Sequence, residues 1–252
     1  MRDGGLFGVE DVPWFNGGLF QNIDLPPLAE ADVLALKAAS ALNWSAIDPS
    51  IFGTLFERGL DPAKRSQLGA HYTDPATILR LVEPVVVRPL LAEWQQSQAA
   101  IGKALAKSKK HGDKAYRDAQ AAFVAFLERL KAFRVLDPAC GSGNFLYLAL
   151  KALKDIEHQV NFEAEALGLE RQHDGTGPHN VLGIELNEYA AELARVTVWI
   201  GELQWRIDKG YAFKTRPVLE PLDHIECRDA LLDGTDVAHA RTHARTHARM
   251  HA

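Results

Sequence analysis

Apolar and polar positions follow two different periods along this chain, and the change between them divides it. Over residues 29 to 58 the apolar positions recur at helical spacing. Leu34, Leu36, Ala39 and Leu42 share one side, followed by Ile51, Leu55 and Phe56. A polar stretch from Asp61 to Asp74 reads as a loop, and another helix runs through Ile78, Leu81 and Val82. Pro84 and Pro89 lack the amide hydrogen that a helix interior needs, so they are expected to bend or divide it. Nearer the start, Phe15-Asn16-Gly17-Gly18-Leu19-Phe20 reads as a tight turn between short apolar segments, because Asn-Gly and Gly-Gly readily adopt positive φ.

Residues 97 to 118 carry Lys103, Lys107, Lys109, Lys110, Lys114 and Arg117 among Ala, Ser and Gln. An amphipathic helix with Ala122, Phe123, Phe126, Leu127 and Leu130 follows. A run of this kind reads as a solvated helical hairpin in preference to an arm that contacts phosphates.

From Phe133 the pattern becomes strand, helix, strand, helix, strand. Phe133 to Asp137 is a short apolar strand that ends in a glycine-containing turn, and a helix runs from about Asn144 to Val160. Asn180 to Glu185 is a second strand, Glu188 to Arg206 a second helix, and Ile225 to Arg228 a third strand after a proline-containing loop at 217 to 221. Alternation of this length predicts a parallel sheet with right-handed crossovers. The fold class is therefore α/β, a partial Rossmann-like parallel sheet preceded by a mostly helical N-terminal region. Three strands are few for a doubly wound fold.

Composition changes this picture little. With 252 residues and 47% hydrophobic content, the chain can bury a real core. No apolar run approaches the roughly 20 residues a membrane span requires, and the N-terminus lacks a signal-peptide layout. Two cysteines, Cys140 and Cys227, do not make a disulfide framework, so a reducing, cytoplasmic location is expected. The formal net charge of −5 points away from nucleic acid, since duplex binding draws affinity from basic surface. Any DNA clamp is expected elsewhere or in a local patch. The tail places His239, His243, His247 and His251 four residues apart, a metal-compatible spacing if helical. The repeat is better read as low-complexity sequence from a frameshift or miscalled gene end, and no metal is expected.

The candidate chemistry lies at the end of the first strand of the sheet. Asp137-Pro138-Ala139-Cys140-Gly141-Ser142-Gly143 puts flexible backbone at the carboxyl edge, where such sheets bind ligands and where a Cβ would keep a ligand off the main chain. A dinucleotide site wants a third glycine, where this sequence has Leu146. An acid beside the loop suits a cationic ligand better than a pyrophosphate, which favours S-adenosyl-L-methionine over NAD.

The run VLDPACGSGNFLYL, Val135 to Leu148, resembles the cofactor loop of DNA adenine methyltransferases, in which D-P-A-C-G-S-G recurs. Gly69-Ala70-His71-Tyr72-Thr73-Asp74-Pro75 resembles the G-x-x-[YF]-T-P element ahead of that loop in the gamma class, with Asp74 as an insertion. Taken alone, Thr73 or Asp74 could simply cap a helix begun near Pro75. Ile51 to Thr73, together with Trp14 to Phe20, is similar to the helical region of large single-chain restriction–modification enzymes and phage-defence methyltransferases.

The resemblance implies a class I methyltransferase fold and N6-adenine methylation of double-stranded DNA. It implies a cofactor-binding set made of His71, Tyr72, Thr73, the loop Asp137, Pro138, Ala139, Cys140, Gly141, Ser142 and Gly143, and then Glu185, Leu186, Asp229 and Ala230. Glu185 would accept from the ribose hydroxyls, and Asp229 would contact the adenine amino group or, equally, serve as a helix cap. Glu188 and Glu192 are more simply solvent-facing. The domain division expected is 1–128 helical, 129–233 cofactor-binding and 234–252 tail.

The family's catalytic tetrapeptide, [N/D/S]-P-P-[F/Y/W], should follow Asp229 and does not. The one Pro-Pro is Pro26-Pro27, flanked by leucines. The expectation is a chain truncated before its catalytic motif and DNA-recognition domain, with no catalytic residue to name and no activity alone. Alternatives are an RNA or protein-glutamine methyltransferase fragment, a non-catalytic remnant or subunit, and a nicotinamide-dependent oxidoreductase.

Overall fold

The computed structural model describes residues 5–7, 10–12, 27–42, 47–51, 53, 73–172, 175–211 and 222–232. The turn expected at Phe15 to Phe20, residues 54–72 with His71 and Tyr72, and the tail from residue 233 lie outside them. Near the start, β1 (Gly5–Phe7) and β2 (Glu10–Val12) pair antiparallel, a ladder the apolar pattern did not announce. The first helix, α1 (Glu30–Ser40), covers only the first part of the helical span expected over 29–58; the described residues 41–42 and 47–50 are not helical, and α1 buries no residue. Leu34 and Leu36 remain 58% and 60% exposed among the described residues.

Pro75 opens α2 (Pro75–Val82), which Asp74 caps by accepting from the Thr77 amide at 3.0 Å. The chain then passes through a π-helical turn, Glu83–Val87, into α3 (Arg88–Leu105). Pro84 removes an amide donor, and the helix absorbs the loss by changing its hydrogen-bond register while keeping its direction of travel. Its neighbour α4 (Lys114–Ala132) folds back on α3, and Trp94 meets Phe126 with ring centroids 5.1 Å apart. The lysines of the connecting segment are exposed, so this is the hairpin that the charge spacing predicts. Asp113 organises the connection: its carboxylate accepts from the amides of Tyr116 and Lys109. Those bonds hold it well below the usual carboxylate range, at about 2.

The sheet follows in the expected order. Strands β3 (Val135–Asp137), β4 (Val181–Glu185) and β5 (Ile225–Cys227) are parallel and adjacent. The crossovers carry α5 (Asn144–Ala166) and α6 (Glu188–Asp208). Register puts Val135, Val181, Gly183 and Ile225 on one face, and all four are buried against helices. The other face is partly open among the described residues, with Leu136 56% exposed.

The helix α5 runs six residues past the expected end at Val160. Polar contacts hold these last turns: Glu163 accepts from the Trp94 indole and the Gln98 amide, each at 2.6 Å. An apolar period could not show that extension. After α5, the buried Glu157 carboxylate accepts from the Gly175 and Thr176 amides and fixes the approach to β4. Asn180 then donates to the carbonyls of Leu130 and Phe133, tying the end of α4 to the start of β4. Helices from α2 onward share one apolar core with the sheet. No described helix is long and apolar enough to cross a membrane.

Candidate cofactor site

Asp137 ends β3, and its Oδ1 accepts from the Ala139 amide at 3.1 Å, which starts the turn. The Cys140 amide donates to the Ile184 carbonyl at 3.0 Å, so the loop stays stitched to β4 for one residue beyond the ladder. Gly141 then takes φ +53° and Gly143 φ +85°, left-handed conformations that an L side chain rarely adopts. Gly143 needs its lack of a side chain for a further reason. A Cβ there would stand 2.8 Å from the Ala194 Cα on α6. Around Gly141, by contrast, a Cβ would meet nothing within 4 Å, so its backbone borders open space at the carboxyl edge of the sheet.

The side chain of Cys140 points inward and is buried. A Cβ at Gly183 would come within 2.8 Å of its Sγ, so the thiol and the glycine fit one another. Burial and the charges of Asp137 and Glu185 push this thiol up to about 12. It is a packing group, and no thiolate forms there near neutral pH.

Glu185 ends β4 beside the loop. Its Oε2 accepts from the Gly141 amide at 2.8 Å and its Oε1 from the Asn187 amide at 2.9 Å. Each carboxylate oxygen has a second lone pair, so two further donors can still be accepted. Desolvation raises the Asp137 carboxyl above its ordinary value, and the nearby Glu185 charge adds to it. Two acids therefore lie close enough to influence each other at the ends of adjacent strands, and one of them holds Gly141.

The third strand is pinned by Arg195 of α6, which donates to the carbonyls of Leu222 and Ile225. Beyond β5, the Asp229 carboxylate accepts from the Leu231 amide at 2.9 Å. That is an Asx turn, and no described helix follows for it to cap. Ala230 and Leu186 are exposed, Leu186 at 62%. Thr73 is exposed ahead of the Asp74 cap. Glu188 is exposed as expected, while Glu192 is half-exposed in an ion pair with Arg195. Among the described residues, no group of three His, Cys, Asp or Glu side chains is placed to hold a metal.

Sequence reasoning missed Ser50, Gly53 and Ala194, which pack directly on this loop. Gly53 and Ala194 are small residues at close approach, and nothing local in the sequence identifies the surface they approach.

Residues 111–247 match the family model described as MmeI, DNA-methyltransferase domain. DNA methyltransferase A of Bacillus subtilis (strain 168) is 28% identical over 199 residues, 78% of this chain and 20% of that protein. A putative type II restriction enzyme and methyltransferase of Methanocaldococcus jannaschii is 25% identical over 226 residues, 77% of this chain and 19% of that protein. Among solved structures, the type IIL restriction-modification enzyme MmeI in complex with DNA superposes with a TM-score of 0.66 at 32% identity. That match covers 91% of this chain and 29% of the other. The chain thus spans about a fifth of the length of these curated relatives.

Proposed function

The chain belongs to the MmeI DNA-methyltransferase domain family, and from that premise we propose that it carries the S-adenosyl-L-methionine pocket of an N6-adenine methyltransferase acting on double-stranded DNA. The observation that carries the reading is the pairing of Asp137 and Glu185 around the open backbone of Gly141. Gly141 leaves room for a ligand to approach the main chain, and two acids favour a cationic ligand over a pyrophosphate.

When bound, the cofactor supplies an activated methyl group on a sulfonium. In this reading Glu185 accepts from the ribose hydroxyls with its remaining lone pairs. Asp137 would present negative charge to the cationic cofactor, and Asp229 would accept from its adenine amino group. Leu186 and Ala230 would line the same site, and Pro138, Ala139, Cys140, Ser142 and Gly143 shape the loop. His71 and Tyr72, outside the described residues, and Thr73 are assigned to the same cofactor on the resemblance of Gly69 to Pro75 alone. The division proposed is a mostly helical N-terminal region to residue 128, which also holds the β1–β2 ladder, a cofactor unit over 129–233, and the low-complexity sequence 234–252.

The acceptor-binding [N/D/S]-P-P-[F/Y/W] tetrapeptide is not in these 252 residues. No residue here is given the role of binding the target amine, and the chain on its own is proposed to bind cofactor without transferring methyl. With a net charge of −5, no residue of this chain is given a DNA contact.

Ultraviolet cross-linking of methyl-labelled S-adenosylmethionine to the purified chain tests the pocket. Label should enter the protein and be displaced by S-adenosylhomocysteine but not by NAD. Displacement by NAD alone contradicts the cofactor assignment. Transfer of label to mixed-sequence DNA contradicts the proposed inactivity.

A further inference from the structure

Three surfaces close on the loop Gly141 to Asn144, and one of them comes from far outside the sheet. Glu185 holds the Gly141 amide, and Ala194 fills the space beside Gly143. The third surface is the short segment that includes residues 47–51 and 53. Gln204 of α6 donates to the Ile47 carbonyl at 2.7 Å and fixes its start. Asp48 turns it by accepting from the Ser50 amide at 2.8 Å. Ser50 and Gly53 are buried. A Cβ on Gly53 would stand 2.6 Å from Asn144 Nδ2 and 2.7 Å from Ser142 Oγ.

Asn144 is the first residue of α5. Its Nδ2 donates to the Ser50 carbonyl at 3.5 Å, and its Oδ1 is buried with no hydrogen-bond partner among the described residues. Burying an acceptor unpaired costs free energy, so packing against Gly53, more than the amide's own bonding, sets this orientation. The bare Gly53 backbone leaves just enough room for the ends of Ser142 and Asn144 against the segment.

We propose that Ser50 and Gly53 are positioning residues for the cofactor loop, a strap through which the N-terminal region sets cofactor affinity by holding Ser142 and Asn144 in place. The affinity part rests on the S-adenosylmethionine reading above. The positioning part rests on the geometry alone.

Gly53→Ala adds one atom within 2.7 Å of two side-chain ends, Ser142 Oγ and Asn144 Nδ2, so those side chains must move away from the segment. Hydrogen exchange on the full unliganded chain should then quicken at residues 140–146, where the Gly141 and Gly143 amides are otherwise bonded. The interior of α5 should keep its protection. S-adenosylmethionine affinity should fall at least about fivefold. In a Ser142→Ala/Asn144→Ala background the added Cβ has nothing polar to displace, so Gly53→Ala should add no further change in either readout. Asn144→Ala alone should also quicken exchange at 140–146. Gly102→Ala, at an exposed helical position with open space around it, is the control. Unchanged loop exchange in Gly53→Ala overturns the strap, as does an undiminished effect in the double-alanine background. If the parent chain fails to bind S-adenosylmethionine, the cofactor reading falls, and the exchange arm still judges the strap.

Discussion

Glu185 Oε2 accepts a hydrogen bond from the Gly141 amide at 2.8 Å, joining the ends of two adjacent strands through the residue whose bare backbone borders open space. The same carboxylate takes the Asn187 amide at 2.9 Å. The loop is therefore shaped before any cofactor arrives, and preorganisation of this kind lowers the ordering cost of binding. Glu185→Ala removes two charge-assisted acceptors at once. Affinity for S-adenosylmethionine should fall about tenfold to a hundredfold by calorimetry, from about 1.5–3 kcal/mol of lost charged hydrogen bonding. Glu185→Gln, which keeps one acceptor oxygen, should fall between the two.

Asp137 links stability to pH in the opposite sense to most acids. Burial and the Glu185 charge raise its folded pKa above 3.8, so its contribution to stability is complete below that value and is lost as pH rises through the raised pKa. Asp137→Asn should accordingly raise the melting temperature at pH 7, lose that advantage below about pH 3.8, and weaken cofactor binding. A variant that melts lower at pH 7 than at pH 3, relative to the parent chain, would contradict this assignment.

The two thiols should separate cleanly. Cys140 is buried with its thiol pushed up to about 12, whereas Cys227 is exposed. Iodoacetamide at pH 8 should label Cys227 at least about tenfold faster than Cys140 in the native chain, as read by peptide mass mapping. Denaturant should erase the difference.

Packing around the site differs sharply over short distances. Leu146 is fully buried, and Leu146→Ala should cost about 2–5 kcal/mol in urea unfolding. Leu136, one residue before Asp137 and 56% exposed, should tolerate Leu136→Lys with a change within about 0.5 kcal/mol. Gly183→Val, which would drive a Cβ into Cys140 Sγ and Leu146 Cδ1, should cost about 1–3 kcal/mol or more.

Local and periodic features of the site were legible in the sequence. Asp137 to Gly143 is one unbroken string, and Glu185 closes an apolar run, so both could be placed at strand ends before any coordinates. The long gap between them comes from the 23 residues of α5 and the loop held by Glu157. Contacts that join distant residues through polar or small groups were not legible. The last turns of α5 depend on Trp94, 69 residues from Glu163. Ser50 meets Asn144 across 94 residues. Pro84 signals an interruption in the sequence, but only the structure shows that the helix continues through it as a π-helical turn. For Asp229 the sequence fits both a ligand contact and a cap, and its Asx turn to Leu231 shows that the carboxylate caps no described helix.

The central claim is that Asp137, Gly141 and Glu185 form a pocket for S-adenosylmethionine. Calorimetric titration of the purified chain with S-adenosylmethionine, S-adenosylhomocysteine and NAD, repeated on the Asp137→Ala/Glu185→Ala double variant, tests it most directly. The account predicts saturable binding of the two methionine-derived ligands, none of NAD, and loss of binding in the double variant. Binding of NAD alone would contradict it, as would undiminished S-adenosylmethionine affinity in the double variant.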